Sequence, residues 1–245
     1  MKTIKSLLII PFLCMATLAY GQWDWGNGKG VKGNGNMTTD TRNVGDYDAI
    51  KCAGFMDFKL VQGSEGTIKV EAESNLQEYI ITEVKNGALS IRVKTGKNLK
   101  PSKNKMIVIT IPYESVNKVS LSGSGDVWNE GTIKASNLNV SLSGSGDIIL
   151  NVEATDLKGS VSGSGDLTLK GSATNLDANV TGSGDFHGFD LNSVNTDASV
   201  TGSGDADVRV SGNFKARVTG SGDIEYRGTP TKEDIKVIGS GSVEN

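Results

Sequence analysis

Val119-Ser-Leu-Ser-Gly-Ser-Gly-Asp126 returns as Val140-Ser-Leu-Ser-Gly-Ser-Gly-Asp147 and Gly159-Ser-Val-Ser-Gly-Ser-Gly-Asp166. It returns again as Ala178-Asn-Val-Thr-Gly-Ser-Gly-Asp185, Ala198-Ser-Val-Thr-Gly-Ser-Gly-Asp205 and Ala216-Arg-Val-Thr-Gly-Ser-Gly-Asp223. The aspartates stand 21, 19, 19, 20 and 18 residues apart, and a seventh copy, Gly239-Ser-Gly-Ser242, lacks the carboxylate. A fixed period near 19 residues marks a solenoid. Each repeat is then a unit that cannot bury its apolar face until a neighbour stacks on it.

The residues around the tetrapeptide say what kind of solenoid. Two places before its first glycine stand Leu121, Leu142, Val161, Val180, Val200, Val218 and Val237; directly after the fourth residue come Val127, Ile148, Leu167, Phe186, Ala206, Ile224 and Val243. Alternation of apolar and polar residues on both sides of a glycine bend predicts two short strands per coil, with inner residues stacked into ladders. Ser122, Ser143, Ser162, Thr181, Thr201 and Thr219 form an outward hydroxyl row. No helix-length amphipathic segment separates the repeats, which excludes leucine-rich and helical arrays. What remains is all-β: a parallel β-helix with coils of about 19 residues.

Ile50-Lys-Cys-Ala-Gly-Phe-Met-Asp57-Phe-Lys-Leu60 fits the same frame, with Gly54 and Asp57 at the motif positions. Cys52 then falls on the inward ladder and reads as a buried core thiol, not a reactive one.

The 245-residue chain opens with Lys2 and Lys5, an apolar run from Leu7 to Leu18, and Ala19-Tyr20-Gly21, the pattern of a secretory signal over residues 1–21. Cys14 is preceded by Pro11-Phe12-Leu13 and not by the small residues of a lipoprotein signal. Removal of the signal leaves 23 basic and 28 acidic residues and Cys52 as the sole thiol, so no intramolecular disulfide is available. Mild acidity without a basic cluster argues against nucleic acid and anionic membrane. No other run is long and apolar enough to span a bilayer, and the expectation is an exported protein of the periplasm, outer membrane surface or extracellular space.

Residues 22–43, rich in glycine and asparagine and carrying Trp23 and Trp25, read as a flexible arm, its tryptophans either laid against the first coil or offered to a sugar ring or partner. Irregular coils are expected over 44–116 and regular ones over 117–245, in one continuous domain. Asn86-Gly87 signals a tight turn, Asn75 to Glu83 a short helix, and Lys97 to Lys105 a solvated loop.

The glycines have a structural explanation. A coil corner needs positive φ or close backbone stacking, and Gly123/Gly125, Gly144/Gly146, Gly163/Gly165, Gly182/Gly184, Gly202/Gly204 and Gly220/Gly222 supply both. Phosphate binding is excluded, since neither a helix nor a lysine follows these turns. Asp126, Asp147, Asp166, Asp185, Asp205 and Asp223 are the candidate binding residues. Stacked about 5 Å apart, two such carboxylates repel by about 0.8 kcal/mol even in bulk water. Either each accepts main-chain N–H groups within its own turn, or the row binds a cation such as Ca²⁺. The first is preferred, because calcium-binding β-rolls carry two such turns per coil and this chain one. No other cofactor or metal is implied: His187 has no nucleophile beside it, and no Cys/His zinc spacing occurs.

Leu60-Val-Gln-Gly63, Asn86-Gly-Ala-Leu-Ser-Ile91 and Ile107-Val-Ile-Thr-Ile-Pro112 leading into Val119-Ser-Leu-Ser-Gly-Ser-Gly-Asp126 together resemble the bacterial GIN domain, the head domain of autotransporter adhesins. The resemblance spans roughly residues 44–230 and implies a secreted, right-handed, single-stranded β-helix at the bacterial envelope, with no catalytic residues to transfer.

The reading that follows is a non-enzymatic secreted or envelope β-solenoid serving adhesion through a surface glycan or protein. Its alternatives are a polysaccharide-acting β-helix enzyme, for which a carboxylate pair would be needed, and a structural spacer. The last coil, with Ser242 in place of aspartate and no cap after Val243, is expected to present an open edge for self-association.

Overall fold

A computed structural model describes residues 30–245. Its regular part is a parallel stack in which each tetrapeptide lies directly on the one before. Gly123 pairs with Gly144, Gly144 with Gly163, Gly163 with Gly182, Gly182 with Gly202, and Gly202 with Gly220. The strands run longer than the two short pieces expected per coil: Ile148–Gly163, Leu167–Gly182 and Phe186–Gly202 keep pairing through a bend. At that bend the alternation slips, as at Ala154-Thr155-Asp156, and the inward residue becomes Leu157. Each coil therefore has two corners, one at the tetrapeptide and one opposite it.

The ladders are buried as the alternation requires. Leu121, Leu142, Val161, Val180, Val200 and Val218 are at most 2% exposed, and so are Val127, Ile148, Leu167, Phe186, Ala206 and Ile224. The hydroxyl row from Ser122 to Thr219 faces solvent. Side-chain size is matched between coils: a Cβ on Gly159 would meet the Phe186 ring at 2.5 Å, so the missing side chain makes room for the aromatic one. Cys52 pairs with Leu121 and is buried, and burial pushes its thiol pKa far up, which makes it an inert core residue.

The coil Ala49–Gln62 is stacked directly beneath Lys118–Glu130, and the residues between them fold back under it. There antiparallel pairs join the parallel ones. Met37–Gly45 pairs with Gly66–Glu73, Gly66–Glu73 with Val108–Tyr113, and Ile80–Lys85 with Ala88–Val93. Asn86 and Gly87, both at positive φ (51° and 71°), close the last of these hairpins, as the sequence predicted.

Three sequence expectations are corrected in this cap. Residues 30–43 are not a flexible arm: Gly30–Lys32 pairs with Asn98–Lys100, and Met37–Gly45 is a nine-residue strand without a buried apolar face, held by main-chain pairing with Gly66–Glu73 and by Arg42, whose guanidinium donates to the carbonyls of Gln77 and Ile80. The same pairing converts part of the expected loop Lys97–Lys105 into a strand with Leu99 buried beneath it. The expected helix from Asn75 is a single 3₁₀ turn, Gln77–Tyr79, since the β-branched Ile80-Ile81-Thr82 extends. Glu73 ties these pieces together, its buried carboxylate accepting from Gly35 N–H, Ser102 N–H (2.8 Å) and Ser102 Oγ (2.6 Å). The predicted signal and Trp23 and Trp25 lie outside the described residues.

At the other end the long strand of the last coil, Lys232–Gly239, has a neighbour only on its Asn213–Gly220 side among the described residues. Ile235 and Val237 continue the inward ladders yet are 42% and 39% exposed.

Candidate functional site

The two corners carry different chemistry. At the tetrapeptide the two glycines together supply positive φ and close stacking, as the sequence predicted, but they divide the roles unequally. The first glycine carries the bend: Gly144 has φ +132°, and a Cβ on it would also lie 2.1 Å from Gly123 O. The second, Gly125, Gly146, Gly165, Gly184, Gly204 or Gly222 in successive coils, has no positive φ. It is obligatory for stacking alone, because a Cβ at any of these six positions would lie 1.8–2.1 Å from a main-chain oxygen of the coil below. The chain stacks backbone on backbone here, and the carbonyl of Gly123 accepts two N–H groups from the next coil, Ser145 (2.9 Å) and Gly146 (3.1 Å).

This stacking places all six candidate aspartates in one row headed by Asp57, but their carboxylates do not cap their own turns. Each reaches the next coil. Asp57 Oδ1 accepts from Asp126 N–H, Asp126 from Asp147, Asp147 from Asp166, Asp166 from Asp185, Asp185 from Asp205 and Asp205 from Asp223, over 2.7–3.2 Å. Asp223 Oδ1 accepts from both N–H and Oγ of Ser242. The physical reason is local: the bend takes the aspartate N–H out of the main-chain ladder, and the nearest acceptor is the side chain one coil below. These charge-assisted bonds offset the repulsion along the row. At its head burial raises the pKa of Asp57, the bond from Asp126 N–H opposes that, and the Asp126 charge adds to it.

Two places after each aspartate comes a second outward row, in which Thr168, His187 and Asp207 are consecutive in register. His187 faces outward, and its Nδ1 lies 3.1 Å from Asp207 Oδ2. Asp166, Asp185 and His187 bring one donor atom each within 4.8 Å of one another.

The opposite corner holds what the sequence reading missed. Asn137, Asp156, Asn175, Asn195 and Asn213 each stand seven residues before the first glycine of a tetrapeptide. In the fold they form a column. Asn213 Nδ2 donates to Asn195 Oδ1 (2.8 Å), Asn195 Nδ2 to Asn175 Oδ1 (2.9 Å), and Asn175 Nδ2 to Asp156 Oδ1 (2.8 Å). An ionised carboxylate only accepts, so Asp156 fixes the direction of every amide above it.

A second column, Lys158, Asp177, Asp197, Lys215 and Asp234, runs alongside in register. Within it Lys158 Nζ pairs with Asp177 Oδ2 (2.6 Å) and Lys215 Nζ with Asp197 Oδ2 (2.5 Å). Between the columns Leu138, Leu157, Leu176 and Phe214 turn inward, and the surface dips into an open groove of about 810 Å³ lined by both columns. Polar groups thus recur every coil, about 4.8 Å along the rod, and every second residue, about 6.6 Å across it.

Known proteins share this fold. A structure from Bacteroides fragilis NCTC 9343 described as a "putative adhesin" superposes with a TM-score of 0.81 at 24% identity, covering 88% of this chain and 99% of that one, a likeness of fold. A "putative adhesin" from Parabacteroides distasonis ATCC 8503 is 30% identical over 88% of this chain and 99% of its own, with a TM-score of 0.71. A "Putative lipid binding protein" from the same organism is 26% identical over the same shares, with a TM-score of 0.72. A search of curated proteins finds no significant match. The sequence also matches, over residues 46–230, the family described as "Putative auto-transporter adhesin, head GIN domain". With three quarters of its length inside that match, the chain belongs to the GIN-domain family.

Proposed function

We propose that the protein is a non-enzymatic adhesion module of the cell envelope, exported by residues 1–21, that holds a linear glycan in the groove between the asparagine and lysine/aspartate columns. One observation carries the reading: the groove repeats its polar groups coil after coil, so a polymer of similar units meets the same donors and acceptors at each step. Every ladder amide keeps a second N–H, and each carboxylate keeps lone pairs, for sugar hydroxyls. The pairing with neighbours holds these side chains in place before a ligand arrives, which lowers the entropy cost of binding. The names of the family and of its structural neighbours support adhesion, while the ligand class rests on the groove.

A glycan array followed by calorimetry tests this. Binding is expected for the parent protein and for Asp166→Asn, on the other corner, and is expected to fall at least tenfold in Asn175→Ala/Asn195→Ala, which removes two adjacent links. Equal affinity in the double variant would place the ligand elsewhere, and no binding to any glycan would favour the spacer reading. A reducing-sugar assay on the same ligands checks the enzymatic alternative; release of new chain ends would overturn the non-enzymatic assignment.

A further inference from the structure

We propose that Asp166, Asp185 and His187 form a site for a divalent transition metal of the Zn²⁺ class, oriented by Asp207. The site lies on the tetrapeptide corner, away from the groove, and does not depend on the glycan reading.

The tetrapeptide is constant while the outward residue two places after its aspartate varies from coil to coil. Two places after the aspartate stand Trp128, Ile149, Thr168, Asp207 and Glu225 in the other coils, and an imidazole in this one alone. Among the described residues, Asp166, Asp185 and His187 are the one group of three metal-ligating side chains whose donor atoms converge, all within 4.8 Å of one another. Ligands around a Zn²⁺ ion with bonds of about 2.0–2.2 Å lie about 3.5 Å apart. Closing that difference calls for side-chain rotation, for which the intermediate burial of Asp166, Asp185 and His187 leaves room.

The supports of the site are already in place. Asp166 Oδ1 is held by Asp185 N–H (3.1 Å) and Asp185 Oδ1 by Asp205 N–H (2.8 Å), so each carboxylate is fixed at one oxygen and has the other free. Asp207 Oδ2 stands 3.1 Å from His187 Nδ1. With the Nδ1 proton held there, the neutral ring offers Nε2 to a metal, the carboxylate–histidine–metal arrangement that sets ring orientation and raises ligand basicity. Asp207 comes from the neighbouring coil and is not itself a ligand, so its role is positioning. An imidazole with two carboxylates selects Zn²⁺, Ni²⁺ or Cu²⁺ over Ca²⁺, which prefers a full oxygen shell. The remaining coordination positions are left for water or for an oxygen of a bound partner. Because the ligands come from two successive coils, the ion bridges them, and binding stabilises the folded chain.

The test is calorimetric titration of the tag-free, chelator-stripped protein with ZnCl₂, with thermal unfolding in parallel. Expected are one ion per chain, a rise in Tm, and no competition from millimolar CaCl₂. In His187→Ala both effects should vanish while the metal-free Tm stays near that of the parent, since the side chain is half exposed. Asp207→Ala should weaken binding about tenfold. The site is overturned if the parent shows no saturable Zn²⁺ binding in the millimolar range, or if His187→Ala binds as tightly as the parent. An unchanged affinity in Asp207→Ala overturns the orienting role.

Discussion

Asp166 Oδ1 accepts the main-chain N–H of Asp185, the equivalent residue one coil on, at 3.1 Å. A side chain whose residue type suits a bond within its own turn is thus part of the bonding between turns. Replacement of Asp166 by Asn keeps the acceptor and removes repulsion from Asp147 and Asp185, while losing charge assistance, and the two changes nearly cancel. Asp166→Asn should shift stability by under about 0.5 kcal/mol, whereas Asp166→Ala, which strands the Asp185 N–H, should cost about 1–2 kcal/mol. Urea unfolding midpoints of the two variants decide this; equal midpoints would mean that the bond contributes nothing.

The glycine corner makes a sharper claim. Gly146→Ala introduces no positive-φ strain, yet its Cβ would overlap the carbonyl of Gly125, and backbone on both sides blocks relief. We expect a loss above about 4 kcal/mol or failure to fold. Gly96→Ala is the control, because Gly96 has φ +77° with nothing within 4 Å of its Cβ, leaving only conformational strain of about 1 kcal/mol. Comparable circular-dichroism melts for the two would refute the steric account.

Acid should loosen the capped end first. Burial pushes the Glu73 pKa up, but the bonds from Ser102 Oγ, Ser102 N–H and Gly35 N–H, together with Lys105, outweigh it and hold the carboxyl below the usual range. A depressed acid stabilises the fold fully above its unfolded pKa, about 4.3, and that stability is lost as pH falls through the lower folded value. Glu73→Gln should therefore flatten the acid limb of a stability–pH curve and cost on the order of 1–2 kcal/mol at neutral pH. Hydrogen exchange at the Gly35 amide reads the local effect, and unchanged protection there would count against it.

Exposure of Ile235 and Val237 leads to a fourth expectation, that two copies associate weakly through the strand Lys232–Gly239. Light scattering over a concentration series should show association in the parent and its loss in Val237→Lys. A parent that stays monomeric at the highest concentration removes this face as a contact.

The regular coils were legible because one physical rule acts on every repeat: a period of two between glycine bends leaves a single way to bury Leu142, Val161 and Val180 together. The cap was not legible for the opposite reason. Met37–Gly45 has no buried face to betray it, and it pairs with a distant segment through main-chain bonds that any residue can make. For the aspartates the residue type was informative but the direction was not, since the same Asp serves a bond within a turn or across coils. The asparagine column was present as a seven-residue offset from each glycine, but Asn beside a bend is also ordinary turn chemistry. Only the register between coils turns Asn175, Asn195 and Asn213 into a single row.

Because Asp156 can only accept, every amide from Asn175 to Asn213 points toward it, and none can flip without its neighbours. The row therefore has a head and a tail. A polysaccharide also differs between its two ends, so a chain laid along these amides in one sense meets donors where the reversed chain would meet acceptors. On the proposed glycan reading the rod would sort polymers by orientation, and every molecule it captured would lie the same way round.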